Sequence, residues 1–129
     1  EPEFHLLARL GPVSLALDVG GNWGQSIEAL KRTVPGARII SFEPNPLLAM
    51  RLARHFSGDE AVTVKCFALS DRAGTFTLHI PVYHGFVYGG LASLSRDEAE
   101  NWFTPERFAG FDRSKLTVQA VRVGPAPPK

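Results

Sequence analysis

The stretch LALDVGGNWGQS, residues 15–26, decides how the rest of the chain is read. Apolar residues with one acid run into three glycines and an asparagine, and a helix-like segment follows at once. Val13–Val19 reads as a buried strand, and Gln25–Val34 carries Ile27, Leu30 and Val34 at helical spacing. The glycines therefore fall at a strand-to-helix turn. Glycine there permits positive φ and close backbone approach by a ligand, while the first N–H groups of the new helix offer an anion site.

Composition narrows the classes. The chain has 129 residues, 44% hydrophobic and 21% charged, with a formal net charge of +1. That make-up suits one soluble globular domain with a real core. The fourteen Lys and Arg are spread along the chain, so neither a phosphate-tracking stripe nor a basic membrane face is visible; nucleic acid and membrane are set aside. The single cysteine, Cys66, excludes an internal disulfide and a multi-cysteine metal site, and in the apolar run Val62–Leu69 it reads as a buried small hydrophobe rather than a nucleophile. No stretch approaches the roughly 18 apolar residues of a membrane span. Glu1, Glu3 and His5 do not have the form of a signal peptide, so a cytoplasmic setting is expected.

Outward from the turn, strands and helices alternate. A short amphipathic segment (Phe4, Leu6, Leu7, Leu10) ends at Gly11 and Pro12. After the strand Ala37–Phe42, Asn45 can cap a helix whose first position is Pro46 and whose inner face is Leu48, Leu52 and Phe56. A third strand follows at Val62–Leu69. This order predicts right-handed βαβ units and a parallel sheet flanked by helices, a Rossmann-like α/β fold. Beyond a turn at Ser70–Gly74, Thr75–Ile80 and Lys115–Val123 alternate as strands, which predicts an antiparallel hairpin addition. Between them lie the aromatic, glycine-rich loop VYHGFVYGGLASLS and a helix around Asp97–Phe108. One domain is expected over 1–123, with the proline-rich tail 124–129 as a linker or disordered end.

Two ligands compete for the glycine turn. A nicotinamide or flavin site wants G-x-G-x-x-G, whereas Gly20, Gly21, Asn22, Trp23 and Gly24 make a G-x-N-x-G. S-adenosylmethionine brings no pyrophosphate, and an acid before the glycines and a polar residue within them suit its amino-acid end. Asp18 is placed to hold the ammonium, directly or through water. Glu43, at the end of the second strand, is placed to accept from both ribose hydroxyls. Any βαβ domain needs a tight turn, but Asp18, the glycines, Asn22 and Glu43 in one frame favour an adenosyl ligand. Asn45 serves chiefly as a cap. Ala68, Leu69, Ser70 and Asp71 border the adenine if the sheet has the expected order, although Asp71 equally suits the turn before Gly74.

The segments LALDVGGNWGQS, RIISFEPNP, CFALSDRAGTFTLHIP and LASLS together resemble the FkbM family of S-adenosylmethionine-dependent methyltransferases over roughly Val13–Leu94. The resemblance implies a class I methyltransferase domain and methyl transfer to a hydroxyl oxygen of a small molecule or glycan. It also implies cofactor contacts from Asp18, Gly20, Gly21, Asn22, Gly24, Gln25, Glu43, Pro44, Asn45, Ala68 and Ser70. A family member would continue past Val123 into an acid-bearing strand. The chain is therefore expected to be the N-terminal, cofactor-binding part of such an enzyme, with its first strand central in the sheet. On that order the strand's far edge either mediates homo-oligomerisation or is covered by Lys115–Val123.

Candidate general bases are His84, in the aromatic loop, and more weakly His79; His5 and His55 lie on helical segments without a visible partner. Tyr83, Phe86, Tyr88, Trp102 and Phe103 either form an acceptor-binding lid or pack over the sheet. A non-catalytic adenosyl- or partner-binding module is the alternative function.

Overall fold

The computed structural model describes residues 2–124. The proline-rich tail falls outside the described residues apart from Gly124. The chain divides into two compact units, at Asp71 and Arg72.

In the first unit a 3-10 helix, Pro2–Arg9, precedes β1 (Leu15–Val19), α1 (Gln25–Thr33), β2 (Arg38–Phe42), α2 (Pro46–His55) and β3 (Val62–Lys65). The three strands are parallel in the order β1-β2-β3, with Leu17 beside Ile40 and Asp18 beside Ser41. Ile27, Leu30 and Val34 of the α1 segment and Leu52 and Phe56 from α2 pack into one cluster with Ile39, and Phe4 and Leu7 of the 3-10 helix close its flank. Both helices therefore lie on one face of the sheet. Successive crossovers of one hand, stepping in one direction across a sheet, produce that arrangement.

Capping follows the sequence. Asn45 Oδ1 accepts from Leu47 N–H at 3.1 Å with Pro46 at the first position of α2, while Gly24, left-handed at φ 92°, starts α1 with no side-chain cap. Arg54 and His55 fall in the last turn of α2, where cations oppose the helix dipole.

The second unit holds β4 (Phe76–Tyr83), β5 (Phe86–Val87), α3 (Arg96–Asn101) and β6 (Leu116–Val123), with the antiparallel order β5-β4-β6. The fold is thus α/β, a helix-flanked parallel sheet plus an antiparallel sheet. A core of Leu78, Ile80 and Val123 sits on the second sheet.

Several boundaries differ from expectation, each for a physical reason. β3 stops at Lys65, four residues early, because its neighbour β2 ends at Phe42, the partner of Lys65. Cys66 consequently stands outside the strand and is exposed, not buried. β4 runs on through Pro81. The Pro81 carbonyl accepts from Tyr88 N–H, so the position lacking an N–H points to the side where β5 is only two residues long. The aromatic loop turns out to be a tight hairpin: His84 (φ 49°) and Gly85 (φ 75°) form a two-residue turn with both φ positive. α3 is six residues long rather than twelve. Ser95 caps it, and Pro105 disfavours helical backbone at Thr104 before it.

The strand order is the expected one, with Leu15–Val19 beside Arg38–Phe42 and no second neighbour in its sheet among the described residues. Of the two fates expected for that edge, pairing with Lys115–Val123 is not the one the strand order shows: β6 pairs along its whole length with β4 in the second sheet.

Candidate functional site

β1 delivers Asp18 to the helix-covered side of the sheet, where it is only 7% exposed. Its Oδ1 accepts from Ser26 Oγ–H of α1 at 2.6 Å, and its Oδ2 accepts from Ser41 Oγ–H of β2 at 2.7 Å. Ser41 is fully buried and stands beside Asp18 in the register. One carboxylate thus ties the first strand to the helix it feeds and to the next strand.

The chain then turns on its glycines. Gly20 (φ 87°) donates to Phe42 O at 2.8 Å, and Gly21 donates to the same carbonyl at 3.3 Å. Gly21 is required by space, not by φ: a Cβ there would stand 2.8 Å from Leu52 Cδ1 and closer still to Ser41 Oγ. Asn22 adopts φ 50°, a conformation that asparagine tolerates better than most residues.

Glu43, 5% exposed, closes the network from the end of β2. Its Oε2 accepts from Asn22 N–H at 2.7 Å and its Oε1 from Asn45 N–H at 2.8 Å. The same acid therefore holds the glycine turn and the entry to α2. Asn22 Oδ1 is buried without a hydrogen-bond partner among the described residues.

Asp18, Gly20, Gly21, Asn22, Gly24, Glu43 and Asn45 are thus brought into one connected turn. Gln25 opens α1 and is exposed, and Pro44 links Glu43 to the cap. Ala68 and Ser70 lie beyond β3, and Ser70 Oγ donates to Asp71 Oδ1 at 3.1 Å on the surface. Ser26 and Ser41, the donors to Asp18, escaped the sequence reading. Ser41 was recoverable once the strand register was known, because it alone faces Asp18 from β2.

Electrostatics set this turn apart. The ion pairs among the described residues join Lys31 to Asp59, His55 to Glu28, and Arg96 and Arg113 to Glu100. Neither Asp18 nor Glu43 takes part in one, so two buried carboxylates are held by hydroxyl and amide donors alone. A cleft of about 390 Å³, lined by Trp23, Gly24, Gln25, Glu28, Arg32, His55 and Phe56, shares Trp23 and Gly24 with the turn but contains neither acid. Arg51 stacks over the Trp23 ring at 4.4 Å.

The other candidates sort differently. Cys66 sits just past β3; although the residue is exposed, neighbouring atoms partly desolvate its thiol, and this, and then the Glu43 carboxylate, push the thiol above the ordinary value. In the second unit Tyr83 and Phe103 are buried in an aromatic cluster with Phe108, Phe111 and Tyr88, and Tyr83 Oη accepts from Asp112 N–H at 3.0 Å. Packing accounts for both. Trp102 and Phe86 remain exposed, the former under the Arg107 guanidinium at 3.9 Å. His84 is an exposed turn residue against Tyr83, His79 bridges to Ser93 through its backbone, and His55 approaches Glu28 at 3.7 Å. No cluster of three metal-ligating side chains occurs among the described residues, and none of their helices is long and apolar enough to cross a membrane.

Comparison with protein-family models, curated proteins and solved structures finds no match for this chain.

Proposed function

We propose that the first unit is the cofactor-binding part of a Rossmann-like class I methyltransferase of the FkbM kind, that its glycine turn binds S-adenosyl-L-methionine, and that the methyl acceptor is a hydroxyl of a small molecule or glycan. The observation that carries this is the pair of buried carboxylates at a strand-to-helix turn, Asp18 and Glu43, which take part in none of the ion pairs among the described residues. Burying charge without a counter-charge is costly. A dinucleotide pyrophosphate would add negative charge to that site. A sulfonium and an ammonium neutralise it.

Each residue has a place in this scheme. Asp18 attracts the ammonium, directly or through water. Glu43 has accepted two N–H groups, and a carboxylate has about four lone-pair sites, so acceptor capacity remains for the ribose hydroxyls. The uncapped N–H groups at the start of α1 suit the ligand carboxylate, and Ala68 and Ser70 border the adenine. The bound cofactor supplies an electrophilic methyl group. Holding the ligand in one orientation against an acceptor oxygen is the turn's contribution to rate.

Calorimetric titration with S-adenosylhomocysteine tests the proposal. Binding is expected, with NADH failing to displace the ligand. Glu43→Gln should weaken binding by about 1.5–3 kcal/mol at a temperature where the variant is folded. No heat of binding with the parent protein, or displacement by micromolar NADH, would reject the assignment.

A further inference from the structure

Three side chains meet where β1 gives way to α1. Asp18 accepts from Ser26 at 2.6 Å and from Ser41 at 2.7 Å, one hydroxyl on each carboxylate oxygen. Their burial differs. Ser41 is fully buried and Asp18 is 7% exposed, whereas Ser26, in the first turn of α1, is only partly buried. Ser26 is therefore the most accessible of the three.

A serine hydroxyl has one proton and two acceptor lone pairs. The Ser26 proton is committed to Asp18, because an O–H to carboxylate distance of 2.6 Å is that of a charge-assisted bond. Beyond that bond Ser26 Oγ acts as an acceptor and not as a donor. No donor among the described residues fills its lone pairs. Asn22 Oδ1, in the same turn, is a second acceptor without a partner among them. Acceptors backed by a buried carboxylate suit a group that brings several N–H donors and a positive charge. A primary ammonium has three donors and no acceptor, while an ionised carboxylate has acceptors only.

We infer that Ser26 Oγ is the group that contacts the ammonium at the amino-acid end of S-adenosylmethionine, and that Asp18 is a positioning residue acting through it. Asp18 fixes the Ser26 hydroxyl as an acceptor and adds negative charge from behind. The inference rests on the reading of the glycine turn as an S-adenosylmethionine site, and names the side chain that reads the amino group there. Both Asp18 oxygens already hold a hydroxyl, and the carboxylate lies deeper than Ser26.

The test compares S-adenosylhomocysteine with its deamino analogue, which keeps the carboxylate and has hydrogen in place of the amino group. Affinities of the full chain for both are measured by calorimetry, at a temperature where circular dichroism shows each variant folded. The parent should prefer S-adenosylhomocysteine. Ser26→Ala should reduce that preference at least about tenfold, as loss of a hydrogen bond to a charged group requires. Ser26→Cys, close to serine in shape but a weak acceptor, should do the same, and Ser26→Thr, which keeps the hydroxyl, should restore most of the preference. Ser41→Ala takes the other hydroxyl from Asp18 and should change both affinities by one factor, leaving the preference as it was. A preference kept or raised in Ser26→Ala and Ser26→Cys would mean that Asp18 meets the ammonium itself, and would overturn the inference while leaving the turn a cofactor site. A parent that binds both ligands alike, or a preference lost equally in Ser41→Ala, would also overturn it. No binding of either ligand to the parent would reject the reading of the turn, and the inference with it.

Discussion

Replacing Glu43 with glutamine removes one negative charge and reverses the polarity of one atom, and the surroundings leave that atom nowhere to go. Oε2 and Oε1 accept from Asn22 N–H at 2.7 Å and Asn45 N–H at 2.8 Å, and both are backbone groups fixed by the turn and by the α2 cap. A glutamine oxygen satisfies one of them. The amide nitrogen then faces the other, donor against donor. A hydrogen bond to a charged acceptor contributes about 1.5–3 kcal/mol, and one is lost outright while the survivor weakens to a neutral bond. Against that, a neutral side chain is easier to bury than a carboxylate with no cation. The net loss is expected to be about 2 kcal/mol. For a unit of this size that lowers the thermal midpoint by about 8–16 °C. Thermal unfolding followed by circular dichroism reads the midpoint, and amide exchange reads the two donors, whose protection should fall together. A midpoint within a degree or two of the parent's, with Asn22 and Asn45 equally protected, would refute the view that Glu43 holds the turn.

Three further outcomes are expected. Gly21→Ala should cost about 1–3 kcal/mol by overpacking against Ser41 and Leu52, and more than Gly20→Ala, whose Cβ meets nothing within 4 Å and is disfavoured only by φ 87°; urea midpoints give the order. Arg96, with Arg113 behind it, holds the Glu100 carboxyl below its ordinary 4.5. A carboxyl with a folded pKa below its unfolded value contributes stability above the unfolded pKa, and that contribution disappears as pH falls through the folded one. A carboxyl-carbon NMR titration should therefore find the Glu100 midpoint below 4.5, and Arg96→Gln should move it upward. Cys66, although exposed, should react with iodoacetamide at pH 8 more slowly than a cysteine in a short peptide, because partial desolvation of the thiol and then Glu43 hold back its thiolate; Glu43→Gln should speed the reaction.

What was legible in the sequence was whatever a local rule decides. Asn45 with Pro46 reads as a helix start because a cap involves neighbours only, and the glycines read as a turn because no other residue suits Gly20 and Gly24 at φ near 90°. The acids Asp18 and Glu43 stood out for the same reason, as charges where a strand ends. Their partners did not. Ser41 and Ser26 are ordinary residues until the β1–β2 register and the docking of α1 put hydroxyls on Asp18. The length of β3 was misread because a strand ends where its neighbour does, and that left Cys66 outside a core that its sequence neighbours suggested. The strand expected over Thr75–Ile80 continues to Tyr83 because sequence alone does not show which side of a strand the missing N–H of Pro81 faces.

The position of the glycine turn in its sheet follows from the direction in which the chain crosses it. In open α/β sheets ligands gather at the carboxyl ends of the strands, where the strand order reverses. Here β1, β2 and β3 succeed one another in one direction, so within this sheet no reversal occurs and both helices fall on the same side. The glycine turn therefore stands at the carboxyl end of an edge strand. β1 consequently has two unlike faces: its even residues send Asp18 into a buried network of hydroxyls, and its odd residues send Leu15, Leu17 and Val19 into water. Alternation with a period of two makes this possible in only five residues. A substitution at Asp18 should thus disturb the turn through its two serine donors, whereas one at Leu17, its neighbour in sequence, should leave the turn's geometry in place.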